Sequence, residues 1–362
     1  MKVLMVGLGA IGQRHLRNLR AIIGTESDFF AYRVRKFSAV ITPTLQLEVD
    51  RNVEQENGVR AFADLQKALA EKPEIAVICN PSSMHVPVAL QCARAGCDLF
   101  IEKPLSSSLE GLPELLSTVE SQRRIAMVGY QFRFHPCFQR LQEILQQGDL
   151  GNLLAVRATI GEYLPGWHRY EDYRKSYAAR SELGGGVLLS QIHEFDYLYA
   201  LFGKARRLYT IGGHLSNLEI NVEDVASTLM ECEVGGRPLP VHLHQDYLQR
   251  PPSKQCEVIG DAGRAVLDFP SLSVVLYNHV GEVASRFHLE SFDRNQLFLS
   301  EMQHFLECVK TRSKPVVDLG EGIWSLKLAL AARESLAIRQ TVELSPEITG
   351  ASKTKNDDAK SF

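Results

Sequence analysis

An α/β domain built on a doubly wound parallel sheet, followed by an α+β domain with an open, largely antiparallel sheet, is the architecture predicted by this sequence of 362 residues. Three observations predict it. Up to Gly129 short apolar runs alternate with helical patterns; beyond it strand-like runs follow one another with short turns; two long helical patterns then close the chain. At roughly 150 residues per domain the length asks for two domains. The change of rhythm sets them at 1–128 and 129–344, and leaves 345–362, rich in Ser, Thr, Lys and Asp without periodicity, as a mobile tail.

In the first domain the elements run in order: strand Val3 to Val6, helix Ile11 to Ile22, strand Phe29 to Val34, helix Ala63 to Ala70, strand Ile75 to Cys79, helix Val86 to Ala95, strand Asp98 to Ile101, helix Leu109 to Val119 and strand Ile125 to Val128. Such alternation implies parallel strands joined by crossover helices. Gly24, Pro73, Pro81, Gly96, Pro104 and Gly129 stand where elements should end. After Gly129 come a helix at Pro136 to Gln147, a strand at Leu153 to Ile160 and a helix from Gly186 to Leu201. Strands follow at Arg207 to Ile211, Val225 to Val234, Leu239 to Tyr247, Gln255 to Ile259, Ala265 to Phe269, Val274 to Asn278 and Ala284 to Leu289. Tight turns such as Gly235-Gly236 and Asp261-Ala262-Gly263 make that sheet antiparallel or mixed. Helices Gln296 to Thr311 and Gly322 to Arg339 finish the fold.

Composition narrows the partners. With 45% hydrophobic and 23% charged residues the chain can bury a large core, which excludes a disordered chain, a collagen-like repeat and a disulfide miniprotein. A net charge of -3, from 40 basic and 43 acidic residues, gives no overall field for nucleic acid or an anionic membrane, so a small molecule is expected. The seven cysteines (79, 92, 97, 137, 232, 256 and 308) form no Cys-x-x-Cys pair, which reads as buried thiols in a reducing compartment, with no disulfide frame and no metal site. Met1 to Gly12 is apolar apart from Lys2. Gln13, Arg14, His15, Arg17 and Arg20 follow with no cleavage site, so it is a first strand and not a secretory leader. No other stretch reaches the roughly 18 to 20 apolar residues of a membrane helix, and a cytoplasmic protein is expected.

Gly7-Leu8-Gly9-Ala10-Ile11-Gly12 follows a strand and opens a helix, the setting of a dinucleotide-binding Rossmann domain. Gly7 allows the tight turn, Gly9 lets the backbone approach a pyrophosphate, and Gly12 lets helix and strand pack closely. The amides at Ala10 and Ile11 then face the phosphates at the positive end of the helix. NAD-binding versions carry an acid about 20 residues later for the ribose hydroxyl. Here the second strand ends Tyr32-Arg33-Val34-Arg35-Lys36 with no acid. Guanidinium suits a phosphate where a carboxylate repels one, so the cofactor is NAD(P), leaning to NADP, through Arg33, Arg35 or Lys36 and Ser38. The alternative is a basic loop on a solvated surface.

Glu102-Lys103-Pro104 ends a parallel strand, where open α/β sheets bind ligands, and a lysine there can exchange a proton with a substrate oxygen. Further on, Leu183-Gly184-Gly185-Gly186 opens a helix carrying Ser190, His193, Asp196 and Tyr197, spaced to share one face. Alone, His193 reads as a satisfied core histidine more readily than as a proton carrier.

The order and spacing of these segments, with Gly129-Tyr130-Gln131-Phe132-Arg133-Phe134-His135-Pro136 between them, resemble the glucose-fructose oxidoreductase, inositol dehydrogenase and MocA family (Gfo/Idh/MocA), over about residues 1 to 345. Leu164 to Arg174, with Tyr177, further resembles its branch linked to bacterial cell-surface sugars. The resemblance implies an oxidoreductase whose second domain covers the nicotinamide, forms the substrate pocket and commonly an oligomer interface. It implies pyrophosphate contacts at Gly7, Gly9 and Gly12, ribose-loop roles for Asn80, Pro81 and His85, and cofactor contact at Glu102 and Lys103. Lys103 also reaches substrate, and His193 is the acid or base at the oxidised carbinol. Ser190 departs from the pattern, which usually has an aspartate three or four residues before that histidine. Lys103 and His193 acting alone, Glu162 as a substitute carboxylate, or a slow or lost site are the three possibilities.

Trp167, His168, Tyr170, Arg174 and Tyr177 make an aromatic and basic cluster suited to a sugar ring and an anionic group, or else a packed loop or an oligomer interface. Arg133, Ser190 and His193 complete the expected substrate side. Tyr247, Gln249 and Arg250 reach the pocket or close a turn, while Asp318 and Glu321 read as a helix cap. The expected activity is NAD(P)-dependent hydride exchange with a sugar, sugar acid or nucleotide-linked sugar, by a homodimer or homotetramer. Alternatives are a redox-neutral epimerase or glycosidase retaining NAD, and a cofactor-binding protein without turnover.

Overall fold

The computed structural model describes residues 1–24, 26–34, 39–168 and 170–345. The expected contacts at Arg35, Lys36 and Ser38, and the tail beyond Ser345, lie outside the described residues. The first sheet is parallel, with β1 (Lys2–Val6), β2 (Asp28–Tyr32), β3 (Val59–Phe62), β4 (Ile75–Ile78), β5 (Asp98–Glu102) and β6 (Ala126–Gly129). Their spatial order β3-β2-β1-β4-β5-β6 reverses direction between β1 and β4, which opens a crevice at the carboxyl ends of the strands. The sequence reading has no strand at Val40–Ile41, Leu47–Glu48 or Val342–Glu343, and none at β3. It is an edge strand whose Arg60 and Ala61 are exposed, so no apolar run marks it. Helix α1 (Ala10–Ile23) covers one face through Leu16 and Leu19; α2 (His85–Arg94) and α3 (Leu112–Ser121) cover the other through Ala89, Cys92, Leu112 and Leu115.

The second sheet has nine strands: β7 (Leu153–Gly161), β8 (Arg207–Gly213), β9 (Val225–Val234), β10 (Arg237–Asp246), β11 (Ser253–Gly260), β12 (Gly263–Asp268), β13 (Ser273–Asn278), β14 (Val283–His288) and β15 (Val342–Glu343). In the order β14-β13-β12-β11-β7-β10-β9-β8-β15 every pairing is antiparallel except β10 on β7, where Val241 faces Val156 in parallel. Helix α4 (Pro136–Gln147) packs on one face through Phe138, Leu141 and Ile144. The helix expected at Gly186 to Leu201 is two helices, α5 (Val187–Ser190) and α6 (His193–Phe202), broken at Gln191 and Ile192. Leu154, Tyr209, Ile211 and Leu229 remain exposed on the sheet.

The last two helices tie the halves together. From α7 (Asn295–Thr311), Met302, Phe305 and Cys308 pack on the first sheet beside Val3, Met5 and Phe100, although the sequence reading gave this helix to the second domain. Asn295 exchanges amide hydrogen bonds with Asn18 of α1, and Arg312 clasps Asp98 at 2.6 and 3.1 Å. Helix α8 (Leu319–Ile338) is capped by Asp318, which accepts from the Glu321 amide at 2.9 Å as the sequence predicts, and lies against β8 with the Ser335 hydroxyl accepting from the Thr210 amide. All seven cysteines are free and buried. Among the described residues no helix is long and apolar enough to cross a membrane.

Candidate functional site

The turn between β1 and α1 sets the first half of the site. Gly7 has φ +92°, a left-handed value that side chains resist, and a Cβ there would sit 3.1 Å from the Cys79 carbonyl oxygen. A Cβ on Gly12 would fall 2.3 Å from the Gly7 carbonyl oxygen, so the helix presses directly on its own turn. Gly9 is the opposite case: nothing lies within 4 Å of its missing Cβ, and it begins α1 with no side-chain cap. Ala10 and Ile11 therefore present helix-start amides without a capping side chain at the crevice. A bare, open glycine at an uncapped helix start fits a dinucleotide pyrophosphate.

Across the crevice, the loop after β4 brings Asn80 and Pro81. The Asn80 side-chain oxygen is buried and without a hydrogen-bond partner. His85, fully enclosed, joins this loop to the turn after β5: Nε2 lies 2.8 Å from the Asn80 carbonyl and Nδ1 3.0 Å from the Pro104 carbonyl. Burial drives its pKa down against the two carbonyls, and in the neutral form the ring donates to one of them and only packs against the other. At the end of β5 the Glu102 carboxylate accepts the Lys103 backbone N–H at 3.1 Å and lies 2.6 Å from His15 Nε2. The Lys103 ammonium donates to the Ser190 carbonyl at 3.1 Å. That bond carries the first domain's lysine to the break between α5 and α6.

His193 is the first residue of α6 and is 7% exposed. Its ring stands edge-on to Phe132 at 4.9 Å and Tyr130 at 5.7 Å, with Nδ1 buried and unpartnered. Burial, and then the positive charges of Lys103, Lys254 and Arg294, hold its pKa well below 6.5. The imidazole is therefore neutral and able to accept a proton. Lys254, which the sequence reading missed, is ion-paired to Glu194 and stands 3.9 Å over the Phe132 ring. Burial raises the Glu194 carboxyl and the Lys254 charge pulls it back, while its second oxygen has no partner. Ser190 places a buried, unpartnered hydroxyl one turn before His193.

The structure does not gather every expected residue. Arg133 is withdrawn from the substrate side: its Nε and Nη2 donate to the Asp196 carboxylate at 2.7 and 2.9 Å and Nη2 reaches Glu321 at 3.4 Å. Asp196 is thereby turned into the core with Ser325 and does not share a working face with Ser190 and His193. Arg174 is exposed and spends its guanidinium on Asp172 and Glu219. Trp167 packs edge-on against buried Tyr247 at 5.3 Å, its indole N–H buried without a partner, and half-buried Tyr177 packs on the same core. Gln249 turns back to Asp246, and Arg250 covers the Tyr163 ring at 3.9 Å, so both close the turn after β10. Arg33 follows β2 and is ion-paired to Glu54 at 2.5 Å. Lys254 and Arg294 had no signal in spacing, because each meets His193 only through the tertiary fold.

Comparison with known proteins identifies the two halves of the chain. Residues 1–130 match the model of an oxidoreductase family with an NAD-binding Rossmann fold, and residues 138–266 match the GFO/IDH/MocA C-terminal domain. The chain belongs to the Gfo/Idh/MocA family of oxidoreductases. Within that family it is similar to a myo-inositol 2-dehydrogenase of Thermotoga maritima, 27% identical over 95% of this chain and 98% of the relative. Two solved structures share the fold. A scyllo-inositol dehydrogenase from Lactobacillus casei with NAD(H) and scyllo-inositol bound has a TM-score of 0.73 at 21% identity, over 95% of this chain and 98% of that one. The WlbA dehydrogenase from Bordetella pertussis, in complex with NADH and UDP-GlcNAcA, has a TM-score of 0.76 at 20% identity, over 96% and 99%.

Proposed function

We propose that the protein is an NAD(P)-dependent dehydrogenase of a sugar, sugar acid or nucleotide-linked sugar, in which Lys103 and His193 handle the proton at the reacting carbinol. The observation that carries this reading is the Lys103 to Ser190 bond at 3.1 Å, which brings the lysine of the dinucleotide crevice to the turn that carries His193. Bound nicotinamide supplies the hydride chemistry. Neutral His193 accepts the carbinol proton as the C–H hydride leaves, and the Lys103 ammonium stabilises negative charge on the oxygen. Ser190 contributes no charge, and in this reading Lys103 and His193 handle the proton without a carboxylate. Trp167 and Tyr177, both partly buried, offer aromatic surface for a sugar ring, with Tyr247 packed behind Trp167. The sugar and polyol names of the relatives support this substrate class.

For the cofactor we place NADP first, on the basic end of β2 at Arg33. A second reading, NAD, is favoured by Glu54, which the fold brings to Arg33 and which supplies the carboxylate missing from β2 itself. Comparing dissociation constants for NADPH and NADH decides it; tighter NADH binding overturns the NADP preference. The apolar sheet face at Tyr209, Ile211 and Leu229 supports a homodimer or homotetramer, and the free buried thiols support a cytoplasmic setting. The activity itself is tested by absorbance at ~340 nm when the preferred oxidised cofactor meets a sugar and polyol panel. Bound cofactor with no net absorbance change across the panel would contradict the dehydrogenase reading.

A further inference from the structure

Beneath the crevice lies a cluster that the dehydrogenase reading does not use. His15 of α1, Glu102 of β5 and Glu301 of α7 bring one nitrogen and two carboxylate oxygens within 4.8 Å of one another, all three side chains buried. His15 Nε2 and Glu102 Oε1 are 2.6 Å apart. The other Glu102 oxygen accepts the Lys103 amide at 3.1 Å. Glu301 is 0% exposed and neither of its oxygens has a hydrogen-bond partner. It sits on α7, which returns to the first sheet, next to Met302 and Phe305 of that core. A separation of 2.6 Å is that of a strong hydrogen bond, shorter than two ligands keep around one metal ion whose bonds are about 2.0 to 2.2 Å, so a proton and not a metal joins His15 to Glu102.

We propose that Glu301 is a positioning residue for Lys103: it closes the buried side of the His15–Glu102 pair, keeps the Glu102 carboxylate on the Lys103 backbone N–H, and so fixes the root of the lysine whose ammonium is held at Ser190. The inference rests on the assignment of Lys103 to the proton. Groups facing the cluster are Arg14 and His15 from α1, Cys79 and His85 from the loop and helix after β4, and Glu102 and Lys103 at the end of β5. Two carboxylates this close in a site sealed from water cannot both ionise. Glu102 has His15 Nε2 at 2.6 Å and the Lys103 backbone N–H at 3.1 Å, whereas neither Glu301 oxygen has a hydrogen-bond partner. Burial, and then the Glu102 charge, push the Glu301 carboxyl well up, so it stands as the neutral acid. Its role is then shape and neutrality, both of which an amide of the same size retains.

The test uses Glu301→Gln, Glu301→Ala and Lys103→Ala in the full chain, with dinucleotide affinity from fluorescence titration, kcat and KM from initial rates, and a pH profile. Glu301→Gln should keep the kcat of the parent at neutral pH and remove any alkaline loss of rate that ionisation of Glu301 causes. Glu301→Ala should lower kcat on the order of tenfold, with KM and cofactor affinity within about twofold, because the lysine is misplaced and not lost. Full kcat in Glu301→Ala, or an equal loss in Glu301→Gln, overturns the proposal. Should Glu301→Ala fail to fold, the Glu301→Gln rate and profile decide alone. Stoichiometric Mn2+ binding by the parent protein that Glu301→Gln abolishes would also overturn it, in favour of a metal. Full turnover in Lys103→Ala sinks the underlying assignment instead, whatever Glu301 does.

Discussion

Replacing Arg133 with alanine separates two roles that its place in the sequence leaves open. Arg133 and Asp196 are 8% and 1% exposed, and the guanidinium meets the carboxylate twice, at 2.7 and 2.9 Å. Among the described residues the only other side chain donating to Asp196 is the Ser325 hydroxyl at 3.0 Å. Burial raises the Asp196 carboxyl and the bidentate arginine pulls it back, so removing the arginine leaves a buried carboxyl without its main donors. Stranding one member of a buried pair costs about 3 to 5 kcal/mol. At roughly 1.3 °C per kcal/mol for a chain of this size the melting temperature should fall by about 4 to 6 °C. Scanning fluorimetry reads the shift, and initial rates with saturating cofactor read KM. Arg133→Met combined with Asp196→Leu should recover most of the loss, since no charge is then left unpaired. An unchanged melting temperature with a large rise in KM would refute this reasoning and return Arg133 to the substrate.

Gly12→Ala should weaken dinucleotide binding at least about tenfold while far-UV circular dichroism is unchanged, because the new Cβ meets the Gly7 carbonyl oxygen at 2.3 Å and displaces the phosphate turn. His193→Asn should slow oxidation on the order of a hundredfold in kcat. In the parent protein the His193 base is populated above its own pKa, which burial and three cations hold below 6.5, so oxidation rates should stay level from neutral pH to below that value and fall only on further acidification. Lys254→Met removes one of those cations and should move this acid limb to higher pH, measured from the same initial-rate profile.

What the sequence disclosed followed from local geometry. Gly7 and Gly12 are demanded by a left-handed turn and a close helix contact within six residues of each other, and the parallel strands announce themselves as apolar runs. Where a residue's role depends on a distant partner, the sequence had no signal. Arg133 looked like a substrate arginine because Asp196 and Glu321 reach it only in the folded chain, and α7 looked like part of the second domain because its clasp to Asn18 and Asp98 spans most of the chain. Ser190 and Asp196 left the shared helix face for a related reason: a break at Gln191 and Ile192 turns α6 relative to α5, which periodicity alone does not record. Strand β3 escaped because an exposed edge needs no apolar run.

In the proposed reaction Lys103 and His193 meet at one carbinol beside the dinucleotide. The direct test is turnover of Lys103→Ala at ~340 nm, with a substrate found for the parent protein and cofactor affinity measured in parallel. Turnover should be lost with dinucleotide affinity within about threefold of the parent, because the phosphate turn at Gly7 to Gly12 is untouched. Full turnover in Lys103→Ala would contradict the proposed reaction.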